Sequence, residues 1–388
     1  MRPSERLERI PPYLFAELER KIAARKAAGV DVISLGIGDP DHPTYPEVVA
    51  AAQAAVADPA NHRYPSNRGR PEFREAVAAF YERRFGVSLD PETEVMPAIG
   101  AKECIFNLNL AFLDPGSVAL ASDPGYPVYT GGPLLAGGEP FLLGLDPERG
   151  FAPDLSAIPE RAAARARLAF LNYPNNPTGA VVPDGLFGEV VAWARGHDAL
   201  IVHDNAYSET TYDGYVAPSF LATPGAKDVG VEVFSLSKGY NMTGWRCAAI
   251  VGNAEAISHY WRLKSNIDSG LFDAVQLAGA SALGPALDAR IAEMNAVYER
   301  RRDLVCDALR AAGVEVTPPK GTIYVWAPVP GGFGSSAAYC EHVLERAGVV
   351  ISPGGAYGPN GEGFFRISLT TPDDRLAEAV ERIHALAP

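Results

Sequence analysis

Val231-Glu-Val-Phe-Ser-Leu-Ser-Lys238-Gly-Tyr-Asn-Met-Thr-Gly-Trp-Arg246 is the stretch on which the reading of the chain turns. It opens as an apolar, strand-like run interrupted only by Glu232. It then breaks into a glycine-containing turn that carries Ser235, Ser237 and Lys238, and Arg246 follows eight positions after the lysine. An amine at the mouth of an apolar strand, near a guanidinium, loses part of its proton affinity, and a neutral amine attacks carbonyl carbon. Two hydroxyls and an arginine beside it suit a phosphate. Only seven of the 34 basic residues are lysines, and arginine stays protonated, so few groups are available for imine chemistry. Lys238 alone stands at the end of a mostly apolar strand-like run.

Outward from this stretch, short apolar runs alternate with longer helical ones, the signature of a parallel sheet covered on both faces. Strands are expected at 95–99, 117–121, 140–145, 168–171, 200–203, 231–234 and 247–251. Several end in polar residues: Gly100-Ala-Lys-Glu, Asp123-Pro-Gly-Tyr126, Asn172-Tyr-Pro-Asn-Asn176 and Asp204-Asn-Ala-Tyr207. The carboxyl ends of the strands are where open parallel sheets bind ligands. Helices are expected at 13–28, 46–57, 71–85, 101–113 and 184–196, and a long one at about 286–312 joins two lobes. Beyond it, strands at 314–317, 322–326 and 364–369 with helices at 336–347 and 373–385 form a smaller α+β lobe. The expected division is an arm at 1–45 that contributes to the small domain, a large domain at 46–285 and a small domain at 286–388.

Composition narrows the function classes. The chain has 388 residues, 47% of them apolar, enough for two domains with a sizeable core. A net charge of −13 without any basic stripe argues against nucleic acid or an anionic membrane as partner. Four scattered cysteines show no metal-ligand spacing and no disulfide framework, which fits a reducing cytoplasm. No apolar h-region or membrane-span-length run is present. None of the seven histidines forms a metal pair, and His203 reads as a packed histidine beside Asp204. The Gly36-Ile-Gly38 pair lacks the rest of a dinucleotide fingerprint.

Asn172-Tyr-Pro-Asn-Asn-Pro-Thr-Gly179, Asp204-x-x-Tyr207, Ser235-x-Ser-Lys238 with Arg246, and Phe365-Arg366-Ile-Ser368 together resemble the motif set of the class I/II aminotransferases, fold-type I enzymes dependent on pyridoxal 5′-phosphate. The resemblance runs from Gly38 to Arg366 with the motifs in the family's order. It implies an α/β fold with a large, mostly parallel sheet domain and a smaller α+β domain. Lys238 would carry the cofactor and shuttle the substrate proton, Asp204 would pair with the pyridinium nitrogen, and Tyr207 and Asn176 would donate to the phenolate oxygen. Tyr126 would stack on the ring. The phosphate would lie among Ser235, Ser237, Arg246 and the Gly100 and Ala101 amides, with Lys102 beside them and Tyr64 reaching in from a neighbouring subunit of a homodimer. Arg366 would bind the substrate α-carboxylate, helped by Gly38 and Asn176.

The activity so implied is ping-pong transfer of an amino group between an L-amino acid and a 2-oxo acid, in cytoplasmic amino-acid biosynthesis. Leu35-Gly-Ile-Gly-Asp-Pro-Asp and 237–246 are most similar to the LL-diaminopimelate aminotransferase-like subgroup. Lys102 and the arginine-rich loop around Tyr64 are the groups available to a distal carboxylate. Alanine- or aspartate-type transamination, β-elimination by a related lyase, and a cofactor-binding regulator without turnover are the alternatives. Asn205 and Gly239 depart from the commonest family pattern without removing an atom that the chemistry needs.

Overall fold

The structure, a computed structural model, describes residues 1–10 and 14–386. Its strands are β1 (Ile33–Ser34), β2 (Val95–Ile99), β3 (Val118–Asp123), β4 (Glu139–Asp146), β5 (Ala152–Pro153), β6 (Ala166–Leu171), β7 (Leu200–Asn205), β8 (Gly230–Ser235), β9 (Cys247–Gly252), β10 (Tyr324–Pro328), β11 (Val349–Val350), β12 (Ser352–Pro353) and β13 (Phe364–Ser368). Eight of them form one sheet in the order β2-β9-β8-β7-β6-β3-β4-β5. The run from β8 through β7, β6 and β3 to β4 is parallel, whereas β9 lies antiparallel to both β8 and β2.

Alternation along β7 and β8 sends side chains to two opposite cores. Val202, Val231 and Val233 pack with Ile105 and Leu108 of the helix Ala101–Phe112 and with Ile257 of the helix Ala254–Lys264. Ile201 and Phe234 pack the other way, in the core that holds Phe73, Val77 and Phe80 of the helix Pro71–Phe85 and Leu186 and Val190 of the helix Leu186–His197. Both faces are covered, as near-continuous apolar strands require. Glu232, the one break in the apolar run, directly opposes His203 across β7 and β8. Its buried carboxylate meets His203 Nδ1 at 2.6 Å and accepts from the Phe220 amide at 3.0 Å and from Ser219 Oγ. These partners meet the cost of burying a charge inside the sheet.

The second α+β unit is built on the antiparallel sheet β10-β13-β12. The N-terminal segment joins this part, since β1 pairs in parallel with β11. The helix Asp288–Ala311 runs for 24 residues, and the helices Ser336–Ala347 and Asp373–His384 match their expected positions. The helix Pro71–Phe85 starts at proline and ends at Gly86, whose φ of 66° closes it in the left-handed conformation. The helix expected at 13–28 is observed as Leu14–Ala27, and residue 13 lies outside the described residues.

Two strand expectations need correction. Residues 314–317 pair with no strand: Val314 and Val316 bury apolar side chains, while the Val316 carbonyl accepts from the Arg310 guanidinium at 3.0 Å. Apolar alternation there reflects packing below the long helix, not a ladder. The strand expected at 322–326 begins only at Tyr324, because Thr322 has a φ of 70°, which ends extended pairing for a β-branched residue. Among the described residues no helix is long and apolar enough to cross a membrane, and no group of three His, Cys, Asp or Glu side chains is arranged to hold a metal ion.

Candidate active site

The carboxyl ends of β6, β7 and β8, the start of the helix Ala101–Phe112 and residues of the smaller sheet enclose a cavity of about 390 Å³. Gly38, Ala101, Lys102, Tyr126, Asn176, Asp204, Tyr207, Ser235, Ser237, Lys238, Arg246 and Arg366 all line it. Residues as far apart in the chain as Gly38 and Arg366 therefore share one space.

Asp204 stands one residue before the end of β7 and is buried. Its Oδ2 accepts from the Tyr129 hydroxyl at 2.8 Å, whereas Oδ1 is buried without a partner. Desolvation pushes this carboxyl up to about 6, with the Tyr129 hydrogen bond and neighbouring His203 acting in the opposite direction. The Asn172 amide donates to the Asp204 carbonyl at 2.7 Å, and its Oδ1 accepts from the Asn176 amide at 2.7 Å. The turn after β6 is thereby tied to the end of β7.

Lys238 follows β8 by three residues, and its Nζ donates to the Gly38 carbonyl at 2.5 Å. Burial lowers the pKa of its amine; Tyr324 and Asp39 oppose the shift, and Arg366 and Arg246 add to it. Tyr207 and Tyr324 bring their hydroxyls to 3.4 Å. Burial raises the Tyr207 phenol well above its ordinary pKa. At Tyr324 burial acts the same way, but Arg366 and Lys238 outweigh it and hold the phenol below the ordinary value.

Gly100, with a φ of 80°, caps the helix Ala101–Phe112. A Cβ there would lie 2.1 Å from Arg246 Nη2, so only glycine lets the guanidinium approach. Arg246 is itself left-handed (φ 55°) and donates to the Thr243 carbonyl at 2.7 Å. Helix-start amides, two serines and a guanidinium make a donor set for a dianion. Arg366, 2% exposed, donates to Asn176 Oδ1 at 2.7 Å and to the Gly36 carbonyl at 2.8 Å.

Tyr64 is not in the cavity; it is 88% exposed. Of the arginines near it, Arg70 pairs with Glu72 at 2.7 Å and Arg68 lies over Trp261. Lys102 is inside, with Nζ 5.8 Å from the centre of the Tyr126 ring. Sequence reasoning assigned no role to Tyr129, Tyr324 or Tyr357, which also line the cavity. For Tyr129 a signal existed, its spacing of three from Tyr126 at the start of the helix Val128–Ala136. Tyr324 and Tyr357 carry none.

The sequence model of the family described as aminotransferase class I and II matches residues 30–383, and the chain belongs to that family. It is an enzyme that moves an amino group between an amino acid and a 2-oxo acid. The chain is 53% identical over 384 residues to LL-diaminopimelate aminotransferase of Moorella thermoacetica, covering 99% of this chain and 98% of the relative. It is 54% identical to the enzyme of the same name from Desulforudis audaxviator, covering 98% and 96%. Among solved structures, substrate-bound BacF from Bacillus subtilis superposes with a TM-score of 0.95 at 37% identity, covering 100% of this chain and 98% of that one.

Proposed function

We propose that this aminotransferase takes its amino group from LL-diaminopimelate and passes it to 2-oxoglutarate, with pyridoxal 5′-phosphate as cofactor, in cytoplasmic amino-acid biosynthesis. The observation that carries the substrate reading is identity near 50% along essentially the whole chain with enzymes named for that substrate. The residues present fit the cofactor. Buried Asp204 Oδ1 has no protein partner and suits a protonated ring nitrogen, and the Gly100–Arg246 approach with Ser235 and Ser237 suits a phosphate. We assign the phosphate also to the Ala101 amide and Lys102, the ring face to Tyr126, and the ring oxygen to Tyr207 and Asn176.

When bound, the cofactor supplies an electron sink for the substrate α-carbon and a temporary carrier for the amino group. The chain's own groups do the rest. Arg366, with Gly38 and Asn176, binds and orients the α-carboxylate. Lys238 Nζ, its proton affinity reduced by burial, takes the α-proton and returns it. Asp204 stays ionised once a cation lies against Oδ1, which keeps the ring nitrogen protonated. Residues from both sheets wall the cavity. We further assign residues 1–45 to an arm of the small domain, 46–285 to the large domain and 286–388 to the small domain, with Tyr64 completing the site of the partner in a homodimer.

Stopped-flow absorbance of the holoenzyme against single amino acids tests the reading. Rapid loss of the lysine-bound cofactor band with LL-diaminopimelate and with glutamate is expected, and Lys238→Ala should lack that band. A fast response to other donors alone would discard the substrate assignment. Pyruvate and ammonia formed without an acceptor would mark a lyase.

A further inference from the structure

Arg366 poses a physical problem. A guanidinium that is 2% exposed must be stabilised, yet among the described residues no carboxylate lies within salt-bridge distance of it. Its two hydrogen bonds go to Asn176 and to the Gly36 carbonyl, and Nε is buried with no partner. The missing stabilisation comes from two aromatic faces. The guanidinium carbon lies 3.8 Å from the Tyr324 ring centre and 4.8 Å from that of Tyr357. An aromatic face attracts a cation through its quadrupole and occupies none of its N–H donors. A carboxylate in the same place would neutralise the charge and compete with an incoming anion.

Both rings are fixed by structure remote from the arginine in sequence. Tyr324 lies on β10 diagonal to Arg366 on β13, whose direct partner is Trp326. Tyr357 ends the turn Gly354–Tyr357, and its carbonyl accepts from the Gly125 amide at 2.8 Å. The same loop is tied to the end of β3 by the Asn360 amide, which donates to the Asp123 carboxylate at 3.2 Å. That end of β3 leads directly into Tyr126. Each ring is about 5% exposed or less.

We propose that Tyr324 and Tyr357 are positioning residues for substrate recognition, clamping Arg366 between two rings so that it stays buried and flat while its donors remain available to the substrate α-carboxylate. The inference rests on the reading of Arg366 given above and assigns the means by which that residue works.

The test measures, by absorbance of the holoenzyme, the Kd of α-methyl-L-glutamate, which has no α-proton to lose and is not turned over, and the rate of reaction with propylamine, which has no carboxylate. Tyr324→Met and Tyr357→Met fill the space without a π face and should each raise the Kd about ten-fold, the factor expected on losing a desolvated cation–π contact. Propylamine rates should stay within about two-fold in Tyr357→Met, whereas Tyr324→Met, which also removes the hydroxyl beside Tyr207, is read by its Kd alone; Tyr324→Phe and Tyr357→Phe should keep the Kd within about two-fold, since the face is retained. The leucine variants replace the methionine ones if the latter do not fold. Wild-type Kd in the methionine variants, an equal loss with propylamine in Tyr357→Met, or phenylalanine variants as weak as methionine ones would each overturn the clamp. Arg366→Ala separates the two levels: unchanged affinity there removes the carboxylate reading and the clamp together, whereas weakened affinity in it and not in the tyrosine variants removes the clamp alone.

Discussion

Asp204 shows how burial is used at the scale of one residue. In the folded chain without a cation at Oδ1, its carboxyl is pushed up to about 6, against 3.8 for an exposed aspartate. Between those values the folded chain holds a proton that the unfolded chain has released. The stability of the cofactor-free protein attributable to this group is therefore greatest below the lower value and declines as pH rises through the higher one, by about 3 kcal/mol in all. Urea unfolding of cofactor-free wild type and Asp204→Asn over that range should show the difference drifting against wild type by about that amount. The drift should vanish in the holoenzyme, where on the proposed assignment a protonated ring nitrogen would pair with the carboxylate. A pH-independent offset in the cofactor-free pair would contradict the assigned cause. Lys238 follows the same logic with opposite charge, since desolvation favours the neutral amine, the form that its proposed role requires.

At the scale of elements, the proposed phosphate site rests on a helix start and an arginine approaching within a distance that a single methyl would block. Gly100→Ala places Cβ against Arg246 Nη2 and strains a backbone at φ 80°. Cofactor affinity should fall at least about ten-fold with the fold intact, as equilibrium dialysis against pyridoxal phosphate would show. An unchanged affinity would mean that Arg246 is not held by this approach. The motif residues Asn176, Asp204, Tyr207, Ser235, Ser237, Lys238 and Arg246 are legible because they fall in short contiguous motifs that resemble those of the family, most of them in turns beside the strand ends. Residues 314–317 were misread because alternating apolar side chains can be buried by packing alone, and the ladder partner that defines a strand is not a local property.

At the scale of the molecule, Tyr64 is the residue whose role a single chain does not display. An 88% exposed tyrosine on a loop that also carries Arg63, Arg68 and Arg70 is out of reach of its own cavity. In the proposed homodimer it meets the cofactor phosphate of the partner. Sedimentation should give a dimer, and Tyr64→Phe should weaken cofactor binding about ten-fold, in line with loss of one hydrogen bond to a charged group. Mixing Tyr64→Ala with Lys238→Ala chains should then yield hybrid dimers with one intact site and partial recovery of activity. No recovery would count against a shared site.

The sequence by itself determined the alternation of strands and helices, the family and most of the polar residues that meet in the cavity. The alternation depends on local periodicity, and the family and its site residues on the resemblance of four short motifs, all of them written in neighbouring residues. Only the tertiary structure decided that Glu232 pairs with His203 across two strands, that Tyr129 holds one oxygen of Asp204 and leaves the other bare, and that two tyrosines close on Arg366. The physical reason is shared: each contact is fixed by sheet register or by the packing of one segment against another, and no motif spacing along the sequence encodes it.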